Sequence, residues 1–184
     1  MTGIILFRAQ PFHYGHLAQI KRAFSELRKM DMDLCIVVGS ADKFNTKRNP
    51  IPINIRLDLI KGVLEEEFSL GQRQHIKMGS LVDLSDEANN TYSWGNYLYN
   101  AMCQFSGDTE FIFYYSDKPE IALSWFDDRV RNHICFKFLS RIDNINATHV
   151  RECLINNDTK ELEKTLPPYV FERRNILRDL IIEV

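Results

Sequence analysis

No two of the four cysteines, Cys35, Cys103, Cys135 and Cys153, stand at C-x-x-C spacing, which excludes a zinc knuckle and a redox dithiol. Cys35 and Cys135 lie inside apolar runs and read as small buried hydrophobes in a reducing compartment. No apolar run reaches the ~18 residues of a membrane span, and the first residues open into a strand pattern rather than a charged and apolar leader. The expectation is a cytoplasmic protein with no membrane partner. An excess of one charge is missing too. A net charge of -2 gives no global attraction to nucleic acid, so basic chemistry has to be local, as in the cluster Lys43, Lys47 and Arg48. Repeats, low-complexity tracts and linker-like segments are also lacking, and 184 residues fit one domain, 1–184, with a core of its own.

What is there alternates. Gly3 to Phe7, Leu34 to Val38, His75 to Met78, Phe111 to Tyr115 and Ile134 to Phe138 are short apolar runs that read as strands. Between them Leu17, Ile20, Phe24 and Leu27 recur at helical spacing, as do Ile55, Leu59, Val63 and Leu64, and then Trp94, Leu98, Ala101 and Phe105. Strands apolar throughout and separated by helices require a parallel sheet covered on both faces, because parallel neighbours need long crossovers. The pattern predicts an α/β fold: one Rossmann-like, doubly wound domain with five mostly parallel strands and a helical C-terminal end. There Thr148 to Leu154 reads as a short helix, Asp158 and Glu161 form a capping-box pattern, and Pro167-Pro168 suits a helix entry. In such folds ligands bind beyond the carboxyl ends of the strands, so His13 and His16, the loop Gly39 to Pro50 and the loop Ser116 to Pro119 should face one crevice.

The tetrad His13-Tyr14-Gly15-His16 follows the first strand and opens the first helix. A helix N-terminus attracts anions, glycine permits close approach, and two imidazoles placed there suggest a phosphate site. The longer run Arg8-x-Gln10-Pro11-Phe12-His13-x-Gly15-His16-Leu17 resembles the signature of the H-x-G-H nucleotidyltransferases, in the form found in archaeal-type nicotinamide-nucleotide adenylyltransferases. Ile145-Asn146-Ala147-Thr148-His149-Val150-Arg151 is similar to the second signature of that superfamily, I-S-x-T-x-x-R. Gly39-Ser40-Ala41 with Thr46 to Pro50 resembles the family's loop after strand two, and Leu166-Pro167-x-x-Val170 the opening of its last helix.

The resemblance implies transfer of AMP from ATP to the phosphate of nicotinamide mononucleotide, with release of pyrophosphate by direct in-line attack. It implies catalytic roles for His13, His16, Arg48 and Arg151, and nucleotide contacts from Arg8, Gln10, Gly15, Gly39, Ser40 and Thr148. Trp94 lies where the family stacks the nicotinamide ring of the acceptor. Magnesium, Mg2+, would travel with the nucleotide, without a protein metal cage. The family often assembles into symmetric homo-oligomers, which the resemblance leaves open here. A cytidylyltransferase, another acceptor specificity, or a non-catalytic nucleotide-binding sensor also remain open, since the H-x-G-H site handles only the triphosphate.

Several positions depart from the family pattern. Phe7 stands where the adenylyltransferases carry glycine and Ala9 where they carry phenylalanine, so bulk at Phe7 is expected to crowd the nucleotide's approach. Asn45 replaces a histidine, Asn54-Ile55-Arg56 keeps only the arginine of G-E-R, Asn146 replaces serine, and Asp117 stands where asparagine is usual.

Overall fold

The computed structural model describes residues 1–84, 91–116, 119–141 and 145–184. Five strands, β1 (Thr2–Phe7), β2 (Leu34–Val38), β3 (Ile76–Ser80), β4 (Phe111–Tyr115) and β5 (Ile134–Phe138), form one sheet in the order β3-β2-β1-β4-β5. Every pair is parallel, with Phe7 opposite Val38 and Ile5 opposite Tyr114. The chain winds outward from β1 in both directions, so the connections after β1 and β4 part company at the centre of the sheet. That parting opens a crevice at the strands' carboxyl ends.

Ten helices accompany the strands among the described residues: α1 (Tyr14–Lys29), α2 (Ile53–Glu67), α3 (Leu70–Arg73), α4 (Thr91–Ser106), α5 (Pro119–Ser124), α6 (Asp128–Arg131), α7 (Ala147–Asn156), α8 (Thr159–Thr165), α9 (Pro168–Glu172) and α10 (Arg174–Ile182). α1 buries Leu17, Ile20, Phe24 and Leu27. Its contact with β1 is close because residue 3 is glycine: a Cβ there would lie 2.3 Å from Leu27 Cδ1. No helix among the described residues is long and apolar enough to cross a membrane.

Alternation along the strands divides the core between two faces. Ile5, Ile36, Val38 and Tyr114 pack with α1, α2 and the C-terminal helices through Ile20, Leu59, Val150 and Leu177. Ile4, Cys35, Val37 and Phe113 pack with α4 and the α5–α6 region through Leu98, Met102 and Phe126.

Two sequence expectations change, and three short helices were not anticipated. The third strand runs over Ile76–Ser80 rather than from His75, whose Nδ1 instead lies 2.9 Å from Asp33 Oδ1. Cys35 is buried as expected, but Cys135 is exposed, because β5 is an edge strand and its α1-side face is only partly covered. The short helices α3, α5 and α6 carry too few apolar repeats to show a period. The C-terminal reading holds in part: Asp158 accepts the Glu161 N–H as the N-cap of α8 and Pro168 opens α9, but the capping box is not completed, because the Asp158 N–H donates to Cys153 O and Glu161 pairs with Lys164 and His149.

Candidate active site

α1 begins with histidines where serine or aspartate is usual. His13, in extended backbone at the N-cap, accepts the Gly15 N–H on Nδ1 at 3.1 Å, and His16 Nδ1 accepts the His13 N–H at 3.3 Å. The two imidazoles form a reciprocal capping box and stack with ring centroids 3.8 Å apart. Since each Nδ1 accepts, the proton of each neutral ring resides on Nε2, leaving two Nε2–H donors at one helix N-terminus. Burial, then the Arg141 charge, lowers the His13 pKa to about 4. Burial first, then His13 and Arg141, holds His16 well below its ordinary range. Both rings are therefore neutral donors at pH 7.

Aromatic packing fixes the second ring. Phe12 stacks on His16 at 5.4 Å and Phe7 lies 4.7 Å from it. Phe7 is thus directed onto His16 as a wall of its slot. Ala9 is buried with φ 52°, a left-handed conformation that costs an alanine roughly 1–2 kcal/mol.

The second signature meets the first. Arg151 Nη1 donates to the Gln10 carbonyl at 2.7 Å across 141 residues of sequence, and Nη2 donates to Thr148 Oγ1 at 3.3 Å. Thr148 does not cap α7: Asn146 does, accepting the His149 N–H at 2.9 Å, so asparagine performs the serine's local task. The Gln10 side chain is buried and spends its amide on one backbone unit, donating to Ile51 O at 3.0 Å and accepting Ile51 N–H at 2.9 Å. It is a strut between the β1–α1 and β2–α2 connections.

Gly15 has a duty within the chain. A Cβ there would sit 2.8 Å from His13 Cε1 and 2.9 Å from His13 Nδ1, so glycine makes room for the capping imidazole. At Gly39 a Cβ would meet only Leu6 Cδ1, at an ordinary 3.5 Å, so packing within the chain does not demand glycine. Ser40 is buried, at φ 52°, and donates to Asp83 Oδ1 at 3.0 Å. Arg8 and Arg48 are exposed, and Arg48 forms no hydrogen bond or ion pair with the described residues. Trp94 is half-buried in α4, its ring 6.3 Å from Trp125 and 5.8 Å from Tyr97. Asp117 lies outside the described residues, as does part of the Ser116 to Pro119 loop.

Sequence reasoning missed two cations. Arg56 is wholly buried and donates to the carbonyls of Arg8, Gly39 and Ser40. Its only signal in the sequence was survival of the arginine where its motif neighbours had changed. Arg141, just beyond β5, acts on both histidines through its charge, with no motif to mark it. Among the described residues no three His, Cys, Asp or Glu side chains gather as a metal site. A cavity of about 390 Å³ between α4 and α6, lined by residues including Asn96, Arg129 and His133, shares nothing with the histidine pair.

A parallel sheet of this order, with a histidine-capped helix following its central strand, is a Rossmann-like α/β domain. The family model described as cytidylyltransferase-like matches residues 8–92. A nicotinamide-nucleotide adenylyltransferase of Ignicoccus hospitalis is 45% identical over 67 residues, 36% of this chain and 37% of that protein. Another, of Thermococcus sibiricus, is 24% identical over 180 residues, 97% of this chain and 87% of that protein. Among solved structures, the bifunctional NMN adenylyltransferase/ADP ribose pyrophosphatase of Francisella tularensis, complexed with AMP and Mn ion, superposes with a TM-score of 0.68 at 20% identity. It matches 99% of this chain, which spans 52% of that larger chain. The chain is thus similar to the cytidylyltransferase-like family over less than half of its length, and to archaeal nicotinamide-nucleotide adenylyltransferases.

Proposed function

We propose that this protein transfers AMP from ATP to nicotinamide mononucleotide, releasing pyrophosphate and forming NAD. One observation carries the reading: His13 and His16 each spend Nδ1 on a backbone N–H and so hold a neutral Nε2–H donor at the start of α1. Neutral donors fixed by the backbone suit phosphate oxygens whose charge rises in the transition state, because they need no reorganisation as the bond breaks. Arg141 already acts on both rings through its charge, Arg151 and Arg8 would supply more from the adjoining connection, and a planar guanidinium can hold two phosphate oxygens at once. Arg48, exposed on the β2–α2 connection, would fold over the triphosphate. Gly39 leaves its face of the β2–α2 connection open, which suits close approach of the nucleoside. The acceptor's phosphate attacks the α-phosphorus in line and pyrophosphate leaves, so the protein supplies alignment and charge stabilisation without a covalent intermediate.

The groups around the histidines are hydrogen-bond donors and cations. They fit phosphate oxygens and repel a bare metal ion, so magnesium would enter as the nucleotide complex and neutralise charge on the departing pyrophosphate. The Trp94, Trp125 and Tyr97 rings offer an aromatic surface of the kind a pyridinium ring stacks on. Relatives named as nicotinamide-nucleotide adenylyltransferases favour the same acceptor. A cytoplasmic location and a homo-oligomer belong to this reading as well.

The test is pyrophosphate release from ATP or CTP, each offered with nicotinamide mononucleotide. Release with ATP is expected; release with CTP alone would reassign the donor, and tight nucleotide binding without release would make the protein a sensor. His16→Ala should lower turnover about 10²-fold, the usual cost of one preorganised donor.

A further inference from the structure

We propose that Arg56 is a positioning residue for nucleotidyl transfer: its guanidinium holds the connections after β1 and β2 in the relation that places Arg8 against the triphosphate. The inference rests on the reading above and adds a residue that touches no substrate. Arg56 projects from α2 and is 0% exposed. Nη1 donates to Arg8 O at 2.9 Å and Gly39 O at 2.8 Å, and Nη2 donates to Ser40 O at 2.8 Å. Three carbonyls from two separate connections thus converge on one rigid fork, a geometry that lysine's single ammonium cannot reproduce. Nε is buried without a partner among the described residues, so the side chain carries an unrecovered desolvation cost. Burial is the main influence lowering its pKa, to about 10, and the Asp83 charge opposes it, so the group remains a cation at neutral pH.

The consequence follows from peptide planarity. A carbonyl directed at the guanidinium turns the next N–H the opposite way, so Arg56 orients the Ala9 and Ser40 amides as well as the backbone from which Arg8 departs. Neither of those amides has a backbone partner among the described residues. Ala9 and Ser40 are also two of the left-handed residues, both at φ 52°. A conformation alanine and serine disfavour is held where Arg56 binds the adjoining peptides.

The experiment is a double-mutant cycle read by kcat, by KM for ATP and by calorimetric ATP affinity. Arg56→Lys keeps the charge and removes the fork. It should lower kcat about 10-fold in the wild-type background, on the scale of a small misplacement of a reacting group. In the Arg8→Ala background the same change should cost less than about 3-fold, because the residue it positions is gone, while in His16→Ala it should again cost about 10-fold. Equal losses in all three backgrounds, or unaltered kinetics for Arg56→Lys, would overturn the proposal. Should the wild type release no pyrophosphate with any substrate pair, the activity reading falls and the same cycle is read by ATP affinity alone. Should Arg56→Lys not fold, hydrogen exchange of the wild-type Arg56 guanidinium decides: slowing on ATP binding is expected by linkage, and an unchanged rate refutes the coupling.

Discussion

Arg151 reaches across the crevice to the Gln10 carbonyl, so the second signature is hydrogen-bonded to the first before any substrate arrives. The bond locks α7 to the β1–α1 connection and holds the guanidinium against the backbone of Gln10, three residues before His13. Arg151→Gln should therefore lower both turnover, by at least about 10-fold, and stability, by about 1–3 kcal/mol for a carbonyl left without its charged donor. Denaturant unfolding and pyrophosphate release on the same sample check this. A loss of turnover with unchanged stability would mean that the bond to Gln10 contributes nothing to the fold.

The histidine pair makes a prediction for pH. His13 titrates near pH 4 in the folded chain against an ordinary value of 6.5, so the unfolded chain takes up its proton first as acid is added. The stability that neutral His13 confers is complete above about pH 6.5 and falls away as the pH drops toward about 4. His16 adds to the loss in the same direction. Carbon-detected titration of the imidazoles should place the His13 midpoint near 4 in the free protein and higher with ATP, since phosphate charge favours the imidazolium. Failure of ATP to shift either ring would remove the histidines from the phosphate site.

Gly15→Ala should act through His13. The new Cβ would lie 2.8 Å from the imidazole and push it off the Gly15 N–H, removing the cap at a cost of about 1 kcal/mol. The stacked partner loses its support, and turnover should fall with stability. A variant of normal stability and impaired ATP affinity would instead mean that Gly15 serves the nucleotide directly.

Gln10→Leu separates a strut from a ligand. Losing both bonds to Ile51 leaves a buried N–H and C=O unpaired and should cost about 2–4 kcal/mol. ATP affinity, measured at a temperature where the variant is folded, should change little. A large loss of affinity with full stability would return Gln10 to the nucleotide contacts.

Most of the sheet was legible because parallel strands buried on both faces cannot hide their apolar character. β2 and β4 were readable to the residue for that reason. β3 was not: its Gly79-Ser80 end carries no apolar signal, so the strand reads short there, whereas β5, the other edge strand, is apolar enough to read in full. At the site, the histidines and Arg151 announced themselves by spacing. Gln10 and Gly15 were visible as positions, but their partners, Ile51 and the His13 ring, are matters of three-dimensional placement. Arg56 was the least legible of all. Sequence presents a charged residue in α2 as a solvated one, and only the three carbonyls around it reveal otherwise.

The sheet separates two layers that barely share side chains. Helix α1 with its histidines packs on one face, whereas α4 with Trp94 packs on the other. Mutations in the two layers should add rather than interfere. On the proposed reading, a lineage could then rebuild the aromatic layer around a new acceptor without disturbing the histidine layer, so divergence in substrate choice need not pass through an inactive ancestor.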